Sequence, residues 1–251
     1  MVAGLISPMM KIRLLLPITV GLCWWGCGPE PISDGAERLI AKTLAAHGGQ
    51  RYDEAHYRFT FRDKAYTFQN NGATYRYTRT DSTGTRDILD NSGLRRTHNR
   101  QPVELTKKQQ RSYADALNSV IYFATLPHKL RDPAVRATHA GSTFIKGAPY
   151  DILDVRFVEE GGGTDPDDEF RYWIHAKRHT VDYLAYTYRV NGGGVRFRAA
   201  YHPRTVAGIR FQDYINYKAP VGTPLDELPS RYEAGTLQEL SRIEMENIEA
   251  L

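Results

Sequence analysis

Arg196 and Arg198 alternate with Val195, Phe197 and Ala199, which places both guanidinium groups on one face of an extended segment. Planar cations in that arrangement could clamp a carboxylate or a phosphate head group, or they could line a wet outer face and pair with carboxylates of neighbouring strands. Arg210 with Asn216, and Asp213 with Tyr217, raise the same choice on the next segment. Tyr75, Tyr77, Tyr122, Phe123, Trp173, Tyr183, Tyr186, Phe211 and Tyr214 form an aromatic set that could wall an apolar cavity for an acyl chain. The same side chains would serve equally well in a packed core.

Other constellations carry less. The acidic stretch Thr164-Asp165-Pro166-Asp167-Asp168-Glu169 offers oxygen ligands, but it lacks the spacing of a calcium loop and reads as a solvated turn. His175 and His179 stand four apart, a spacing that chelates zinc on a helix. Here they flank Lys177-Arg178 at a hairpin turn, so no metal is expected. No Gly-x-Ser-x-Gly elbow, His-Glu-x-x-His pair, phosphate-binding loop or dinucleotide fingerprint occurs, so no catalytic residue and no cofactor are assigned.

Both cysteines, Cys23 and Cys27, fall in one N-terminal stretch, so the rest of the chain can form no internal disulfide. Lys11 and Arg13 precede an apolar run from Leu14, and the small Gly26 stands before Cys27, the three parts of a secretory signal. The run is too short for a membrane span, which needs about 20 apolar residues. Met10 is the expected start, because it puts the basic residues directly ahead of that run. The stretch resembles the signals of bacterial lipoproteins, in which a peptidase cuts before a cysteine whose thiol then receives diacylglycerol. That resemblance implies a signal peptide over residues 1–26, lipidation at Cys27 and a spacer to residue 34. Anchoring would then rest on the two or three acyl chains of a mature lipoprotein.

Removing Lys11 and Arg13 leaves 31 basic residues against 29 acidic ones, a formal charge of +2 in place of +4. That balance, with no long basic run, excludes nucleic acid as a partner. The remaining chain is long enough to bury one large core.

Leu39, Ile40, Thr43 and Leu44 recur at helical spacing between Ala36 and His47, ahead of Gly48-Gly49. From His56 the period changes to two, and Asn70-Asn71-Gly72, Asp81-Ser82-Thr83-Gly84 and Asn91-Ser92-Gly93 supply the turns of a meander. Thr106 and Gln109 form a capping-box pattern ahead of a second helix with Tyr113, Leu117, Val120, Ile121 and Ala124 on one face. Six further strands are expected between Thr138 and Tyr217, and a last helix that opens on a second capping pair, Thr236 and Glu239, and runs through Leu240, Ile243 and Ile248. Val181–Tyr188 is apolar on both faces. The expected fold is a single α+β domain over residues 35–251, a curved antiparallel sheet of about ten strands with helices on or in its concave face.

At Asn118-Ser119-Val120-Ile121-Tyr122-Phe123, at Gly161-Gly162-Gly163 leading to Tyr172-Trp173-Ile174, at Val181–Tyr186 and at Gly208–Tyr217, the chain resembles an uncharacterised family of bacterial lipoproteins. That likeness covers nearly everything after Ser33 and implies no chemistry. The order of elements, with Tyr75-Arg76-Tyr77 in an early strand, also resembles the LolA/LolB lipoprotein carriers, which implies a half-barrel holding acyl chains. The expectation is therefore an envelope protein facing the periplasm, most readily at the outer membrane, tethered through Cys27 and binding a lipid or other apolar ligand, with transport as one use. The alternatives are a tethered scaffold whose partner is another envelope protein, and a glycan or lipid hydrolase. The latter would need two carboxylates about 5 to 10 Å apart.

Overall fold

The structure, a computed structural model, describes residues 34–158, 168–189 and 192–251. The signal, Cys27, the spacer up to its last residue, the triple glycine and most of the acidic loop lie outside the described residues; Asp34, the end of the expected spacer, already opens the first helix. Two seven-stranded antiparallel sheets make up the bulk of the fold. In the first, β1 (His56–Phe61), β2 (Lys64–Asn71), β3 (Thr74–Thr80), β4 (Thr85–Asp90), β5 (Gly93–His98) and β6 (Gln101–Pro102) follow one another as a meander. In the second, β7 (Val135–Ile145), β8 (Ala148–Phe157), β9 (Phe170–His175), β10 (Val181–Tyr188), β11 (Gly194–Val206) and β12 (Ile209–Ala219) do the same. The period-two patterns are the cause: in β1, Tyr57 and Phe59 are buried while Arg58 between them is exposed.

The C-terminal segment departs from expectation. In place of a helix from Thr236, β13 (Gln238–Ile243) pairs with β12, and β14 (Glu246–Ala250) crosses to the first sheet and pairs with β1. The Thr236 hydroxyl donates to the Arg231 carbonyl at 3.1 Å, and Glu239 pairs with Arg242 at 3.1 Å, so no capping box forms. The physical reason is long-range. Both β12 and β1 would otherwise present unpaired backbone edges, and filling them outweighs a weak local helical preference. The same segment adds two of the four strands beyond the ten expected, and it runs from the edge of one sheet to the edge of the other, leaving a curved, open antiparallel fold rather than a closed barrel.

Helix α1 (Asp34–His47) buries Ala36, Leu39, Ile40 and Thr43 and packs on β7 and β12. Helix α2 (Lys107–Ala124) opens on the expected capping box: the Gln109 amide donates to the Thr106 hydroxyl at 3.3 Å, and the Thr106 amide donates to Gln109 Oε1 at 3.0 Å. Its Leu117 and Ile121 sit against the first sheet. The last turn of α2, with Tyr122 and Phe123, reaches the second sheet instead. A short helix α3 (Leu228–Glu233) brings Leu228 and Tyr232 over the opposite face of the second sheet, against Trp173 and Phe197. That sheet is therefore covered on both faces, which is why β10 is apolar on both.

Candidate ligand-binding face

β9, β10 and β11 pair in register, with Tyr186 opposite Phe170 on one side and opposite Arg196 on the other. Alternation then sends Phe170, Tyr172, Leu184 and Tyr186 toward α2, and Trp173, Tyr183, Ala185 and Phe197 toward α3. On the α2 side the rings are in continuous contact. Tyr122 lies 6.0 Å from Phe157 and 6.1 Å from Phe170 between ring centroids, Phe170 lies 5.4 Å from Tyr186, and Tyr186 lies 5.7 Å from Phe123. These five rings are all half-buried.

Arg198 lies beneath this shelf with only 6 % of its surface exposed. Its guanidinium carbon stands 3.6 Å from the centroid of the Phe123 ring and 5.3 Å from that of Tyr186, and its Nη2 donates to the Tyr186 hydroxyl at 2.9 Å. Nε and Nη1 are buried with no hydrogen-bond partner among the described residues, and no described carboxylate is within ion-pair reach. The pairing with carboxylates of neighbouring strands does not occur, because this face of β11 points inward. Arg196, two residues earlier on the same face, donates to the Tyr188 hydroxyl and stacks on that ring at 4.8 Å.

The surrounding phenols supply no negative charge. Burial raises the hydroxyls of Tyr122 and Tyr172, which are hydrogen-bonded to each other, and pushes Tyr214 up to about 12. All three stay neutral at physiological pH. A buried cation without a counter-ion costs several kcal/mol, of which a desolvated ring contact offsets about 2 kcal/mol. Asn216, opposite Arg198 in the β11–β12 ladder, also keeps a buried Oδ1 with no partner.

The aromatic set expected from sequence does not form one cavity. Tyr122, Phe123, Tyr186 and Tyr214 gather around Arg198. Tyr75 and Tyr77 touch each other at 4.7 Å with tilted rings in the core of the first sheet, and Phe211 belongs to that core, 5.4 Å from Tyr57. Trp173 and Tyr183 lie on the far face of the second sheet, at 5.6 and 5.7 Å from Phe197. Sequence reasoning passed over Phe157, Phe170, Tyr172 and Tyr188; the every-other-residue pattern Phe170, Tyr172, Ile174 was the available signal.

No described cluster of three or more His, Cys, Asp or Glu could hold a metal. His175 instead uses Nδ1 to accept from the Lys177 and Arg178 amides, closing its own hairpin. A separate concavity of 430 Å³ is lined by Tyr150, Asp182, Arg178, Arg210 and Gln212, among others. There Asp182 is already held, by Arg178 at 2.7 Å and by the Tyr150 hydroxyl at 3.1 Å. No described helix is long and apolar enough to cross a membrane.

Comparison with known proteins decides the family. A family described as "Family of unknown function (DUF6503)" matches residues 44–245. The chain belongs to DUF6503. The DUF6503 match covers β1 to β13 and contains Arg196, Arg198 and every ring of the shelf, whereas Cys27 precedes it. No curated protein matches the chain. Among solved structures, a LolA superfamily protein from Nitrosomonas europaea is similar, with 10 % identity and a TM-score of 0.49 over 84 % of this chain and 92 % of that one. A DUF1329 family protein from Desulfovibrio piger is similar with 7 % identity and a TM-score of 0.48, covering 87 % and 94 % of the two chains.

Proposed function

We propose that this DUF6503 protein is an envelope lipoprotein, tethered through an acylated Cys27 that follows a signal peptide, whose single domain binds the apolar part of an amphiphile on the aromatic shelf of the second sheet. The observation that carries this reading is the unbroken run of half-buried rings formed by Phe123, Tyr186, Phe170, Phe157 and Tyr122. Aromatic side chains bury some 150–250 Å² each when fully packed, so a contiguous row left partly uncovered offers apolar surface to a partner. The rings of the first sheet, by contrast, are mostly sealed: Phe59, Phe68 and Tyr77 are at most 2 % exposed.

The test is extraction of the body purified from its native envelope, with lipid mass spectrometry of the extract, alongside titration with a fluorescent fatty acyl probe. The expected result is a co-purified lipid and saturable probe binding that Phe170→Ala weakens. A clean extract with no probe binding would favour the tethered scaffold instead.

A further inference from the structure

Resting on that reading, we infer that the amphiphile is anionic, with its carboxylate or phosphate head received by Arg198 beneath the shelf and with Phe123 as the cover that moves aside to admit it. Three N–H groups of Arg198, one on Nε and two on Nη1, have no acceptor among the described residues. The guanidinium is nevertheless held in place, by the Tyr186 hydroxyl on Nη2 and by the ring faces of Phe123 and Tyr186. A cation so fixed, with free donors and neutral phenols around it, is preorganised for an oxyanion.

Other buried charges differ in kind. Asp87 and Asp213 are each gripped by arginine, whereas Arg198 meets only two rings and a phenol. Arg196 adds a second positive charge on the same face, half-buried and two residues nearer the β10–β11 turn. Phe123 lies against the guanidinium at 3.6 Å and sits in the last turn of α2, a helix that otherwise packs on the first sheet. Rotation of that one side chain uncovers the cation without disturbing either sheet.

The experiment is a competition titration of the purified protein with dodecanoate, dodecyl phosphate and the neutral dodecyl glucoside, all below their micelle concentrations. Anionic heads are expected to bind at least about tenfold more tightly than the neutral one, as a charge-assisted hydrogen bond should. Arg198→Gln should erase that preference, and Arg198→Lys should restore part of it. Phe123→Ala should widen the preference for anionic over neutral probes by uncovering the guanidinium, even as all three probes lose the apolar contact of that ring. The better of the two anionic probes identifies the head group as carboxylate or phosphate.

Equal affinity for all three probes in the unaltered protein overturns the anionic inference and leaves the apolar shelf standing. A preference that survives Arg198→Gln assigns it elsewhere and overturns the role of Arg198. Failure of every probe to bind overturns both readings together. Should Arg198→Gln not fold, the comparison of probes in the unaltered protein and the Phe123→Ala variant still decides the matter.

Discussion

Two buried charges, Asp87 in the first sheet and Arg198 in the second, are handled in opposite ways. In the first, Asp87 is 1 % exposed, and both its oxygens are taken: Arg96 donates to Oδ1 at 2.6 Å and to Oδ2 at 3.0 Å, while Arg79 donates to Oδ2 from Nε at 3.1 Å. Arg96 is braced further by the Tyr113 ring at 3.5 Å. In the second sheet, Arg198 is nearly as deep but has no carboxylate and keeps two nitrogens unbonded. A buried charge whose every bond is met holds the fold together. One held rigidly with bonds unmet is disposed toward something not yet there.

The comparison breaks most readily at Asp87. Asp87→Ala leaves two facing arginines without their anion, and removal of one partner from a buried ionic group is expected to destabilise by about 3–5 kcal/mol. Urea denaturation of the purified body checks it. A loss below about 1 kcal/mol would mean that the first sheet tolerates an unpaired charge as well as the second does, and the contrast would collapse.

A buried base that can discharge sharpens the contrast. His47 is fully buried and accepts from the Val181 amide at 3.2 Å; desolvation, with Arg210 adding to it, lowers its pKa from 6.5 to about 3. His128, stacked on Tyr52 at 4.8 Å, is lowered to about 4 by burial and then by Lys129 and Arg131. Between those values and 6.5 the unfolded chain binds protons that the folded one refuses. Stability present above pH 6.5 is therefore lost as pH falls toward 4 for His128 and 3 for His47, at up to about 1.4 kcal/mol per pH unit from each site. Urea midpoints between pH 7 and pH 4 test this, and His47→Gln should flatten the slope by one site's share. An unchanged slope would show that His47 is not the protonation that opposes folding. Arginine has no such neutral form to adopt in proteins.

Much of this arrangement was legible in the chain, and the failures have physical causes. The Thr106–Gln109 box and the alternation of Tyr57 and Phe59 are local signals, and local hydrogen bonds and pleat enforce them. The segment from Thr236 carries a local helical signal too, but its fate is decided by two strand edges distant in sequence. Parity already separated Tyr183 from Tyr186 and set Arg196 beside Arg198 on one face. What parity cannot tell is which face of a doubly covered sheet points inward, because Phe197 and Ala199 make the opposite face of β11 equally apolar. The split of the aromatic set follows from that: Tyr172 and Trp173 are neighbours in sequence and sit in different cores.

The smallest expected change in stability is the most discriminating. Arg198→Met keeps a long side chain between Phe123 and Tyr186, with sulfur-to-ring contact in place of cation-to-ring contact, and removes the unmet charge. The Tyr186 hydroxyl loses its donor, but Tyr186 is only half-buried and water can replace that bond. Stability in urea should therefore stay within about 1 kcal/mol of the unaltered protein or rise slightly, as happens when buried ionic groups are replaced by apolar ones of similar volume. Saturating dodecyl phosphate should then raise the midpoint of the unaltered protein more than that of Arg198→Met, because a ligand stabilises only the fold that binds it. A loss near that of Asp87→Ala would instead make Arg198 a structural residue like those around Asp87, and the two sheets would differ in geometry alone.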